Sequence, residues 1–340
     1  MNEKANSDTA RMRKSLRPVL IVSNETVTEY TTFLRHLLVG FVGESLSTVL
    51  IRPPGCDMEP IVPAPVTVLT HPLLDMPLTE HLGVERLALQ LEKCRPTVLH
   101  CLSETRMCLA RRLARRLNLP YVQAVNSLSE RFSRLSVSPE HCQAIAVPTE
   151  TVRAGVARAC FRFADRVRQI NIGTCVEREP VCFSEPSRLP SIVMAQSFRR
   201  VSDFENVFKA IKALLAEGRE FVVVVMGPGA AERHLRRFLA QHDLAPAVTI
   251  VPTLQPWRSV LAACLGGVDD MIIPNQTAAV FEPDSEPSIR RTLARLLDQH
   301  DFAQRLARTA QEHVRASYSA STMIADTLKT YTEAQRHYHG

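Results

Sequence analysis

Two glycines in a row, Gly266-Gly267, stand between an apolar stretch ending at Leu265 and the acidic Asp269-Asp270. Backbone N–H groups that open a helix after such a pair form a seat for an anion; an ordinary tight turn has the same residues. A second glycine pair, Gly227-Pro228-Gly229, follows the run Phe221-Val-Val-Val-Val-Met226. Ligands of open α/β sheets gather at the carboxyl ends of strands, and a plain strand-end turn is the alternative. Arg199 and Arg200 are adjacent cations just beyond another apolar run, suited either to a phosphate or to solvent. His100 closes the run Val98-Leu99-His100, where it can move a proton or sit as a partly buried structural histidine. Asn126 and Ser127 follow Tyr121 to Val125 and can line a binding crevice or form a simple loop.

These residues need strands behind them. Short apolar runs ending in turn residues read as parallel strands over 17–24, 47–52, 66–70, 97–101, 121–125, 143–147 and 168–172. Helical spacing fills the intervals 29–41, 82–93, 103–117 and 151–163; the helix 82–93 is amphipathic, with Leu82, Leu87, Leu89 and Leu91 among charges. After the proline-broken stretch 175–190 the pattern resumes with strands 191–196, 221–226, 248–252 and 278–281 and helices 203–217, 230–242, 257–264, 285–299 and 301–338. Alternation of this kind predicts doubly wound α/β units.

Composition narrows the partners. The 340 residues carry 45% hydrophobic and 22% charged side chains, enough to bury a substantial core. The formal charge of +6 is modest and does not by itself indicate nucleic acid. Nine scattered cysteines contain no C-x-x-C, which leaves zinc and thioredoxin-like readings with little support. The odd count and the lack of an apolar leader fit reduced thiols, so the expectation is a cytoplasmic protein with at most peripheral membrane contact. Arg111, Arg112, Arg115 and Arg116 share one helix and can face anionic lipid or nucleic acid; with no aromatic residues between them, a solvated basic face is preferred.

In order, the elements of residues 17–335 resemble the GT-B glycosyltransferases of family 4. The second half carries the likeness through strand Ile192 to Gln196, helix Asp203 to Leu215, strand Phe221 to Met226 with Gly227, strand Val248 to Pro252, the Trp257 to Ala263 helix, Gly266-Gly267 with Asp270, and Tyr318-Ser319 before a last helix. The first half matches through Val98-Leu99-His100, Leu119-Pro120-Tyr121-Val122, Ala144 to Pro148 and Ile172-Gly173-Thr174. The resemblance implies two Rossmann-like domains facing across a cleft. The expected division is a disordered lead-in over 1–16, an acceptor-side domain over 17–174, a linker over 175–190, a donor-side domain over 191–300 and C-terminal helices over 301–340.

It also implies transfer of a sugar, with retention, from a nucleotide-activated donor to a glycan or lipid acceptor, with no bound metal or other cofactor and no nucleic-acid partner. Donor phosphate then falls to Arg199, Arg200, Gly227, Gly229, Gly266, Gly267 and Asp270, the acceptor side to Asn126 and Ser127, and proton handling to His100. The chain departs from the family pattern where Ala262-Ala263 runs into Cys264-Leu265-Gly266-Gly267. Family members carry there a strand, a helix with two glutamates eight positions apart, and a second strand, a segment of roughly 25–30 residues. Its loss, in the lineage or in the gene model, predicts a shortened second sheet of four strands, with Ala278 to Phe281 beside Ile192 to Gln196. It also makes an inactive binding or partner module the alternative to an enzyme.

Overall fold

The computed structural model describes residues 13, 15–56, 61–71, 77–126, 137–175, 189–195, 200–227, 231–251, 270 and 272–339. The chain divides into two compact units, Met1–Val176 with Arg315–Gly340, and Glu177–Val314.

The first unit is built on seven parallel strands: β1 (Pro18–Ile21), β2 (Val49–Arg52), β3 (Thr67–Thr70), β4 (Val98–Cys101), β5 (Tyr121–Ala124), β6 (Cys142–Val147) and β7 (Val167–Gln169), in the order β3-β2-β1-β4-β5-β6-β7. A parallel sheet needs both faces covered, which is why β1, β4 and β5 are buried at every position. One face packs against α3 (Pro77–Cys94), α4 (Met107–Leu117) and α5 (Glu150–Ala159), through Leu87, Leu91, Leu109, Leu113, Val152 and Val156. The other packs against α2 (Thr31–Gly43) and the last helix, α10 (Ala320–His339), through Leu34, Leu38, Phe41, Met323, Leu328 and Tyr331.

Local chemistry sets the element ends. Ser23 caps the short α1 (Asn24–Glu29): its hydroxyl accepts from the Thr26 N–H at 3.1 Å, while the Ser23 N–H donates back to the Thr26 hydroxyl at 3.3 Å. The strand expected to reach Asn24 therefore stops at Ile21. Ser103 caps a 3-10 turn, Glu104–Arg106, that leads into α4. Asn118 ends α4 in the left-handed conformation, with φ 51°.

The second unit has three parallel strands among the described residues, β8 (Ser191–Ala195), β9 (Val222–Met226) and β10 (Val248–Val251), in the order β10-β9-β8. Around them lie α6 (Glu205–Ala216), α7 (Glu232–Gln241), α8 (Glu286–Asp298) and α9 (His300–Ser317). The core is Phe204, Phe208, Ile211, Leu214, Val223 and Leu235 with their neighbours, and Leu293 and Leu297 of α8 close over it.

The fourth strand expected at 278–281 does not form. Asn275 turns the chain with φ 59°, its N–H donates to the Ala278 carbonyl at 2.8 Å, and the Thr277 hydroxyl accepts from the Ile273 N–H at 2.8 Å. Ala278 is thereby spent on an isolated bridge to Pro274, Val280 is 56% exposed, and Pro283 follows too soon for a strand to start again. The expected helix 257–264 lies outside the described residues, as does most of the expected linker.

Candidate functional site

In the first sheet the chain order reverses direction between β1 and β4, so the loops leaving their carboxyl ends diverge and open a crevice. Three loops meet there at the backbone of Leu102. Its N–H donates to the Ile21 carbonyl at 2.9 Å, and its carbonyl accepts from Asn126 Nδ2 at 3.2 Å and from the Thr26 hydroxyl at 3.5 Å. Asn24 at the start of α1 accepts from the Cys56 thiol at 2.8 Å, which ties in the loop after β2. Behind them Gln123, wholly buried, donates from Nε2 to the carbonyls of Ser103 at 3.3 Å and Ala124 at 2.9 Å.

Glu104 sits at this crevice, half-buried. Burial raises its carboxyl pKa above the ordinary carboxylate value; the Asn126 backbone N–H works against the rise and the nearby Glu25 adds to it. A carboxylate accepts hydrogen bonds from hydroxyl groups and, when ionised, repels a phosphate. Neither Glu25 nor Glu104 stands out in the sequence. The signal that finds them is positional, since both lie three or four residues beyond the strands that flank the reversal of order.

Of the sequence candidates in this unit, Asn126 is at the crevice with its amide engaged, and Ser127 lies outside the described residues. His100 is elsewhere. It is the third residue of β4, paired with Leu20 of β1, and alternation along the strand sends its side chain under α10. It is 4% exposed, its Nδ1 lies 2.7 Å from the Tyr331 hydroxyl, and the two rings meet edge to face at 5.5 Å. Burial pushes its pKa down to about 3. A neutral imidazole sealed beneath a helix has no path to a substrate hydroxyl, so its geometry is that of a core residue.

In the second unit Gly227 directly follows β9 with φ 154°, a conformation L-residues rarely adopt. Arg200 follows β8 with an exposed side chain whose Nε lies 3.4 Å from Asp203. Asp270 is partly buried. Arg199, Gly229, Gly266 and Gly267 lie outside the described residues. Among the described residues, no group of three or more His, Cys, Asp or Glu side chains is arranged to hold a metal ion. No described helix is long and apolar enough to cross a membrane.

No protein-family model matches the chain, and no curated protein matches it in sequence. Solved structures do match in shape. A glycosyltransferase from Rickettsia africae superposes with a TM-score of 0.78 at 13% identity, over 94% of this chain and 98% of that one. HepE from Anabaena, in complex with UDP and glucose, gives 0.71 at 10% identity over 93% and 99%. Sucrose-phosphate synthase from Thermosynechococcus elongatus gives 0.71 at 15% identity over 93% and 98%. The likeness is one of fold: the chain has the two-unit α/β architecture of GT-B glycosyltransferases.

Proposed function

We propose that this protein binds a nucleotide sugar and transfers its sugar, with retention, to a hydroxyl of a glycan or lipid acceptor, at a rate reduced by the departures in its second unit. The observation that carries the reading is the end-to-end match to HepE in complex with UDP and glucose, which spans 93% of this chain and 99% of that one. On this reading the donor diphosphate docks beyond the carboxyl ends of β8 and β9. Gly227 and Gly229 let the phosphates approach the backbone, Gly266-Gly267 offers N–H groups beside Asp270, and Arg199 and Arg200 supply positive charge. The acceptor hydroxyl belongs at the crevice of Glu104 and Asn126, with Ser127 beside them. His100 keeps a structural part only.

Charge that develops on a leaving diphosphate must be met by preorganised donors, each worth about 2.7–4 kcal/mol. The sequence offers no paired glutamates for the sugar and the ribose, and Asp269, Asp270, Glu282 and Asp284 are the carboxylates near the glycine pair. Arg200, moreover, is already engaged by Asp203. Both features favour weak nucleotide binding with slow turnover; turnover absent altogether would instead mark a binding module kept on a transferase scaffold. Titration calorimetry with UDP and other nucleoside diphosphates, run beside a radiolabelled transfer assay, tests this. Weak binding that is lost on replacing Arg199 and Arg200 by Ala is expected; brisk transfer that survives that replacement would sink the reading.

A further inference from the structure

The sequence places Leu82, Leu87, Leu89 and Leu91 together on an amphipathic helix, but the structure separates them. Leu87 and Leu91 enter the core with Val84 and Ala88, whereas Leu82 is 70% and Leu89 54% exposed. Spacings of four, three and four residues put Leu82, Arg86, Leu89 and Lys93 in one stripe along α3, directly opposite its buried face. Two leucines on the outer pole of a surface helix, alternating with two exposed cations, are not explained by packing among the described residues.

The neighbouring α4 extends the same surface. It packs on the same face of the sheet, and Arg112 and Arg115 stand exposed on its outer side. The acidic residues that would weaken the positive field lie on the flank between the helices. Arg116 spans both, reaching Glu85 at 2.8 Å and Glu92 at 3.1 Å. The outer surface of the pair is thus rich in leucine and cation, and Glu85 and Glu92 beside it are already matched by Arg116.

We propose that the α3–α4 face is a docking surface for an anionic lipid bilayer, with Leu82 and Leu89 entering the headgroup boundary and Arg86, Lys93 and Arg115 resting against lipid phosphates. Charge complementarity selects an anionic partner, and the exposed leucines select lipid over nucleic acid, whose phosphates give an aliphatic side chain nothing to enter. The inference concerns where the protein sits and does not depend on the proposed transfer reaction.

Co-sedimentation of the full chain with vesicles tests it. Binding is expected to vesicles of mixed phosphatidylcholine and phosphatidylglycerol, to fade as salt is raised, and to be absent with phosphatidylcholine alone. The Leu82→Ser/Leu89→Ser and Arg86→Glu/Lys93→Glu double variants alter only exposed positions, so both should keep the parent's thermal midpoint while each weakens vesicle binding about tenfold or more. Failure to bind mixed vesicles at low salt would overturn the proposal, as would binding that both double variants leave intact. So would duplex DNA binding tighter than vesicle binding and indifferent to the leucine changes.

Discussion

A histidine is kept uncharged beneath a helix by one hydroxyl and a dry wall. With its pKa lowered from 6.5 to about 3, the folded His100 refuses a proton that the unfolded chain accepts. The stability it confers is therefore complete above pH 6.5 and falls as pH drops from 6.5 towards 3, by about 1.4 kcal/mol per pH unit from this group alone. Replacing it by Leu together with Tyr331→Phe removes both partners at once. The double variant is expected to stay near the parent's stability at pH 7, since no polar atom is left stranded, and to lose much of the decline below pH 6.5. Tyr331→Phe alone strands Nδ1 and should cost about 1–3 kcal/mol at pH 7. Thermal unfolding across the pH range checks all three statements. In the sequence His100 looks like a strand-end reagent because it is followed closely by loop residues; both faces of the sheet are covered, so alternation buries it on the α10 side rather than offering it to the loops.

The first sheet was legible in outline because most of its strands are apolar runs of four to six residues bounded by turn chemistry, the three-residue edge strand β7 excepted. Which face of an element a residue joins was less legible. The leucines of α3 read as one set by composition and split into two by angle, and Ala278 to Phe281 reads as a strand until the Asn275 turn claims its first residue. The position of Asn126 just beyond β5 was legible, whereas that of Glu104 beside the reversal needs the strand order, which spacing alone does not supply. The docking of α10 depends on contacts even further apart in the chain. Gly173 donates its N–H to the Met323 sulfur at 3.1 Å, and the parallel bridge from Thr174 to Ser319 follows it. A Cβ on Gly173 would stand 2.7 Å from the Ser319 carbonyl oxygen and 2.8 Å from the Ala320 Cα, backbone atoms that cannot swing aside. On Gly40 of α2 the clash would be with the Cδ1 and Cγ1 atoms of the Ile324 side chain, which a change of rotamer can move, rather than with backbone. Gly173→Ala is accordingly expected to destabilise by about 1–3 kcal/mol and Gly40→Ala by less, measured as urea midpoints at constant slope.

Across the whole molecule, α10 belongs to the first unit although the entire second unit lies between it and the sheet in sequence. A helix's apolar stripe shows in the sequence; the sheet that receives it does not, because nothing local records a partner some two hundred residues away, as Tyr331 and His100 are. A chain cut after Ser319 should leave the α2 side of the sheet uncovered, bind a hydrophobic dye, and lose the cooperative melting of the first unit while the second still melts, which calorimetry and dye fluorescence can follow. The same arrangement dictates an order of events at the ribosome. The second unit is one continuous stretch, complete once Val314 has emerged, whereas the first unit's sheet must wait, open on one face, until α10 has been made. For that interval Leu34, Leu38 and Phe41 lack the helix that finally covers them, so of the two units the one begun first is the last to be sealed and the more in need of a chaperone.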